Sequence, residues 1–144
     1  MSTRAIYRFW DDRNRDEEYF VYKHYDNYPQ GAVVHIRKAI AYAWPFPRYE
    51  ADEFASAFVA ANKNPRGGEV RLISNHHKDK DEVLNTHRFC DYFYDIHYAE
   101  SVDHQGLWIE VHGSRYEDAG FEVKWDFIWS GFLEDMRRDF TDVA

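Results

Sequence analysis

The chain has 144 residues, enough for one domain with its own core, and its 26 acidic and 18 basic residues give a net charge of −8. Such a charge repels nucleic acid and anionic membrane, so direct binding to either is not expected. The single cysteine, Cys90, excludes an internal disulfide and points to a reducing, cytoplasmic setting; no apolar leader follows Met1 and no stretch reaches the roughly 20 apolar residues of a membrane span.

Residues 3–10 and 19–26 alternate as strands do, with the charged run 11–18 between them as a solvated turn. This predicts an antiparallel hairpin with Phe9 beside Phe20 and Tyr7 beside Tyr22 on an aromatic face. Arg8, Trp10, Val21 and Lys23 fall on the other face. Asn27–Gly31 breaks the strand, and Val33, Ile36, Ile40 and Trp44 at helical spacing predict a helix over 31–44, stopped by Pro45 and Pro47. A second helix is expected over 50–62, with Glu50, Asp52 and Glu53 where the helix dipole favours acids. Residues 69–74 read as a short strand and 76–82 as a charged loop. Three strands in a meander follow at about 88–98, 106–113 and 121–127, with turns at 103–106 and 117–120. Cys90, Tyr92, Tyr94, Ile96 and Tyr98 point one way, matched by Leu107, Ile109 and Val111 and then by Phe121, Val123 and Trp125. A last helix over 127–140 presents Phe132, Leu133, Met136 and Phe140. The whole is a single α+β domain, 1–144, in which a largely antiparallel sheet, a hairpin plus a three-strand meander, carries three helices mainly on one face.

Aromatic residues make up 19% of the chain, including 11 tyrosines. A small core cannot easily pair so many hydroxyls, so some tyrosines are expected at the surface, where Tyr and Trp dominate binding hot spots.

Three constellations could carry chemistry. The first is the turn from Lys23 to Gly31, which ends a strand and opens a helix whose free N–H groups can hold an anion. Lys23 and His24 would add positive charge, Asp26 would orient His24, and Tyr28 and Gly31 would shape the loop. Turn chemistry alone explains the same residues, through an Asx turn at Asp26 or Asn27. The second is the polar face of the meander. Pairing Ile96 with Ile109 sets Asp95 opposite Glu110, with Asp91, His97 and His112 near, which suits a metal or an acid–base pair. Pairing Val111 with Val123 would instead place Lys124 by Glu110 and Glu122 by His112, an ordinary solvated face. The third is His76-His77-Lys78-Asp79-Lys80-Asp81, which lacks a second ligand pair at firm spacing. Cys90 reads as a small buried hydrophobe. No phosphate loop, dinucleotide fingerprint, nucleophile elbow or His-Glu-x-x-His motif occurs. No catalytic residue, metal ligand or cofactor is assigned.

The run Tyr22-Lys23-His24-Tyr25-Asp26-Asn27-Tyr28-Pro29 resembles a signature of small uncharacterised bacterial and phage proteins, in which Gly usually stands at the place of Asn27. Asn also tolerates left-handed geometry. The resemblance implies a phage or mobile-element setting inside a bacterial host cell and no established activity. With the acidic charge, it favours a non-enzymatic inhibitor of bacterial defence, anti-CRISPR proteins among them. Asp11, Asp12, Asp16, Glu17 and Glu18 would steer it onto the basic surface of a nucleic-acid-binding protein, Trp108 would anchor the contact, and a homodimer is compatible with that reading. The alternatives are a small-molecule or nucleotide-signal binder using Lys23–Gly31, and a metal-dependent or acid–base enzyme on the 91–112 face.

Overall fold

The computed structural model describes residues 2–77, 79–116 and 123–141, and no side chain at 15 or 141. Two strands, β1 (Ala5–Asp11) and β2 (Asn14–Lys23), lead into helices α1 (Pro29–Ile40) and α2 (Ala51–Asn62). Strand β3 (Val70–Leu72) and helix α3 (Lys80–Thr86) precede the meander β4 (Tyr92–Glu100), β5 (Gln105–Tyr116) and β6 (Val123–Phe132), and α4 (Leu133–Thr141) closes the chain. The six strands form one sheet in the order β3-β2-β1-β4-β5-β6. The fold is α+β, but the sheet is mixed, because β1 and β4 run parallel and every other described pair is antiparallel.

That parallel pair is the departure from the expected, largely antiparallel sheet, and it goes with burial. Ile6, Tyr7 and Phe9 are all fully buried, so β1 needs cover on both faces and takes the centre of the sheet. Its two central neighbours, Tyr94 and Ile96 on β4, are equally buried.

The first hairpin also differs from expectation. Asp11 pairs with Asn14, so the turn is only Asp12-Arg13, and residues 14–18 belong to β2. The register sets Phe9 against Tyr19 and Tyr7 against Val21. A slip of one residue moves every side chain to the other face: Val21 and Lys23 face the main core, whereas Phe20 and Tyr22 join the opposite layer. An irregularity between Trp10 and Asp11 absorbs the extra residues of β2.

Against one face of the sheet lie α1, α2 and α4. Ala32, Val33 and Ile36 of α1, Phe54 and Phe58 of α2, and Leu133 and Met136 of α4 meet Tyr7, Phe9, Tyr94, Ile109 and Val111. Ring centroids there are 4.5 Å apart for Tyr7–Phe58 and 5.0 Å for Tyr7–Tyr94; aromatic pairs at this spacing add about 1 kcal/mol each beyond their burial. Three buried hydroxyls are paired, Tyr7 donating to Asn27 Oδ1 (2.7 Å), Tyr94 to the Asn27 carbonyl (2.6 Å) and Tyr49 to the Trp10 carbonyl (3.0 Å), while the Tyr98 hydroxyl is buried without a partner.

Helix α3 is additional to the three expected, and its first turn overlaps the end of the charged loop read at 76–82. Asp79 caps α3 by accepting from the Glu82 N–H at 2.9 Å, a capping pair legible in Asp79-x-x-Glu82. Val83 and Leu84 then cover Ile6 and Phe93 from the sheet's second face. Cys90 sits in this second cluster, not beside Tyr92 and Tyr94, and burial pushes its thiol up to about 12.

Helix α1 is shifted from 31–44, beginning at Pro29 and ending at Ile40. Strand β4 begins at Tyr92 instead of 88, and β6 continues through Phe132, so α4 starts six residues later than expected. The pairing of Ile96 with Ile109 is found as expected. The pairing of Val111 with Val123 is not: Val111 meets Trp129, Val123 meets Tyr116, and Lys124 meets Arg115. The whole of β6 is displaced by five to six residues from that pairing, and a one-residue bulge at Ile128 adds a further slip, since Val111 pairs with Trp129 while His112 pairs with Phe127. The bulge turns Trp129 toward the main core and leaves Trp125 on the second face. The turn at 117–120, Phe121 and Glu122 lie outside the described residues.

Candidate functional site

The second face of the sheet has three cross-strand rows. Nearest α3 is an apolar row, Tyr22, Ile6, Phe93, His112 and Phe127. The middle row is Phe20, Arg8, Asp95, Glu110 and Ser130. The parallel register makes Arg8 the neighbour of Asp95. Its guanidinium donates to both Asp95 oxygens (3.0 and 3.2 Å) and to Glu18 Oε1 (2.8 Å). Asp95 is opposite Glu110, as the strand alternation requires. Arg8 thus sets a positive charge between Asp95 and Glu18. His112 Nε2 lies 3.7 Å from Glu110 Oε1.

The third row is Glu18, Trp10, His97, Trp108 and Phe132. Trp10 and His97 stack at 4.2 Å, Arg8 lies 5.0 Å from the Trp10 ring, and Trp108 meets Phe132 edge-on at 5.1 Å. Trp10 and Trp108 are half-buried. Burial holds the His97 and His112 imidazoles below their ordinary range against the pull of neighbouring carboxylates.

This row adjoins the acidic end of the molecule. Asp11 is turned inward: its carboxylate accepts from the Arg13 N–H (3.0 Å) and Arg13 Nη2 (3.2 Å), and Arg13 Nη2 reaches on to the Tyr49 carbonyl (2.7 Å). Burial opposes ionisation of Asp11, but its hydrogen bonds from Arg13 prevail and hold it below the usual range. Asp12 and Asp16 are exposed. Glu17 accepts the Tyr19 hydroxyl at 2.5 Å, and that bond is the main reason Tyr19 is raised to about 12. Glu18 is engaged by Arg8.

Two adjoining hollows, of about 480 and 270 Å³, join the turn to the start of α2 and the end of β4. Six carboxylates line them, Asp11, Asp12, Glu17, Glu50, Asp52 and Glu100, against the guanidiniums of Arg13 and Arg48. The sequence expectation held the hairpin acids but not Glu50, Asp52 or Glu100, which lie 30 to 90 residues away in the chain. Nothing local marks those three. Trp108 is not in these hollows; it stands on the second face of the sheet.

The turn from Lys23 to Gly31 is bonded within the chain. Lys23 is buried, and its ammonium donates to Glu69 Oε1 (2.7 Å) and the Tyr25 carbonyl (2.8 Å). His24 is held by the Tyr22 hydroxyl at Nδ1 (2.6 Å) and by Ser2 at Nε2 (3.3 Å), not by Asp26. The left-handed residue is Asp26, with φ 61°, while Asn27 is fully buried. The Asp26 carbonyl accepts from His35 Nε2 (2.8 Å), and Gly31 packs against that same carbonyl. Tyr28 is half exposed at the start of α1.

His76 and His77 stack at 4.3 Å, and His77 Nδ1 is 3.5 Å from Glu82 Oε1. Among the described residues, no three His, Cys, Asp or Glu side chains converge where a metal ion could be held. No helix among them is long and apolar enough to cross a membrane. In comparison with known proteins, the chain matches no family model, no curated protein and no solved structure.

Proposed function

We propose that this chain is a non-enzymatic binding protein whose acidic end docks on a basic surface of another protein and occludes it. The observation that carries this is the gathering of carboxylates from the β1–β2 turn, the start of α2 and the end of β4 around one end of the sheet. The half-buried Trp10–His97–Trp108 row crosses the opposite face of the sheet at the same end. Opposed charge speeds and orients the encounter, and aromatic side chains at the margin supply the contact that is slow to release. Targets of matching chemistry are proteins whose basic channels hold nucleic acid. Together with the resemblance of the 22–29 run, this favours an inhibitor of a bacterial defence complex, acting in the host cell.

The test is affinity capture from a bacterial lysate with native mass spectrometry, followed by a salt series on the purified pair. An added mass of tens of kilodaltons is expected, with affinity falling at least tenfold between about 50 and 300 mM salt as screening shortens. Asp12→Lys with Glu17→Lys should slow association while leaving the fold intact. Binding indifferent both to salt and to that double substitution refutes the reading.

A further inference from the structure

A different cavity lies at the opposite end of β1. It has a volume of about 500 Å³ and opens between the β2–β3 edge and the segment that follows α3. Its lining holds the guanidinium groups of Arg4 and Arg71 and, among the described residues, no carboxylate. In a chain of net charge −8 this is a local reversal of sign, which clefts focus into a field for a small anion.

The two guanidiniums are available. Neither makes an ion pair with any other described residue. Arg71 has one long bond, from Nε to the Gly68 carbonyl at 3.4 Å, and its guanidinium lies 5.5 Å from the centre of the Tyr22 ring. Arg4 binds Asp91 through its backbone N–H (3.0 Å), which fixes the start of β1 and leaves the side chain to the cavity. Such groups favour a phosphate, whose oxygens match the planar fork of arginine.

The remaining walls are flat and apolar. The rings of Tyr22, His87 and Phe89 line the cavity, Tyr22 and His87 being 6.3 Å apart. Phe89 and Leu72 are left 62% and 77% exposed at its mouth, a placement that strands large apolar surface in water unless something covers it. The volume falls within the range of small-molecule sites, roughly 300–1,000 Å³.

We propose that this cavity binds a small phosphorylated molecule with a planar ring, of mononucleotide size. The phosphate lies between Arg4 and Arg71, and the ring lies against Tyr22 and Phe89. The site shares no lining residue with the two hollows of the acidic end. It also shares no residue with the Lys23–Gly31 turn.

Adenosine monophosphate, adenosine and inorganic phosphate serve as probes, by calorimetry and by chemical-shift changes on the full chain. Adenosine monophosphate is expected to bind with a dissociation constant below about 1 mM, shifting the Tyr22, His87 and Phe89 resonances. Adenosine and phosphate alone should each bind at least tenfold more weakly. Arg4→Gln and Arg71→Gln, with far-UV circular dichroism unchanged, should each weaken the nucleotide about tenfold, and Arg71→Lys less. No binding at several millimolar overturns the proposal. So does binding indifferent to both glutamine variants, equal binding of adenosine, or equal binding of phosphate alone.

Discussion

Replacing Asn27 by Ala tests the physical account of the 23–31 turn. The side chain is fully buried and bridges four groups: it accepts from the Tyr7 hydroxyl (2.7 Å) and donates to the carbonyls of Thr3 (2.8 Å), Tyr25 (2.9 Å) and Lys23 (3.0 Å). The Tyr25 carbonyl keeps a second donor in the Lys23 ammonium. Truncation therefore strips the Tyr7 hydroxyl and the Thr3 and Lys23 carbonyls of the Asn27 amide. Each buried orphan costs about 1–3 kcal/mol, so the three together set the loss at no less than about 3 kcal/mol. That is a large part of the roughly 5–15 kcal/mol that stabilises a domain. In urea, with a slope near 2 kcal/mol/M, the midpoint should fall by about 2 M. Tyr7→Phe removes the other partner of one bond, so the double variant should be more stable than the sum of the two losses by about 1 kcal/mol or more. A loss under about 1 kcal/mol for Asn27→Ala, or strict additivity in the double variant, refutes the view of Asn27 as the hub of this turn.

Acid should weaken the fold through His35. Burial is the main cause holding its imidazole at about 4, with the Lys23 charge assisting. The folded ring stays neutral while the unfolded chain takes up a proton near pH 6.5, so this group's contribution is full above that pH. It falls by up to about 3 kcal/mol as the pH drops toward 4. Denaturant midpoints at pH 7 and pH 5 should converge in His35→Gln relative to the parent; an unchanged pH dependence sinks the assignment. Gly31→Ala should cost about 2–4 kcal/mol, because a Cβ there stands 2.1 Å from the Asp26 carbonyl oxygen and the backbone must shift. Thermal denaturation should register a fall of about 10 °C, and an unaltered transition would mean that the close approach at Gly31 is absent.

Much of the meander was legible because alternation over nine or more residues leaves little choice of face. The apolar positions 92–98 and 107–111 define one side, and placing Ile96 against Ile109 sets the register that the structure has. The span of α2 was equally plain, with Phe54 and Phe58 on one stripe and acids in its first turn. The long net-acidic run 11–18 misled, because charge density suggests a loop while the outer face of a strand tolerates the same residues. The bulge at Ile128 was hidden for a related reason, since one extra residue leaves no compositional trace.

Sequence by itself determined the α+β class, the lack of any disulfide, the aromatic core and the acidic character of the hairpin. Each of these follows from residue type and local period. Tertiary structure alone decided that β1 lies parallel to β4, because strand neighbours are chosen by how completely both faces of a central strand are covered. That choice made Arg8 the partner of Asp95 across 87 residues of chain. Folding likewise drew Glu50, Asp52 and Glu100 to the acidic turn, and Arg4, Arg71 and His87 to one cavity. No periodicity encodes such meetings, since they depend on which surfaces pack together and not on the spacing of residues along the chain.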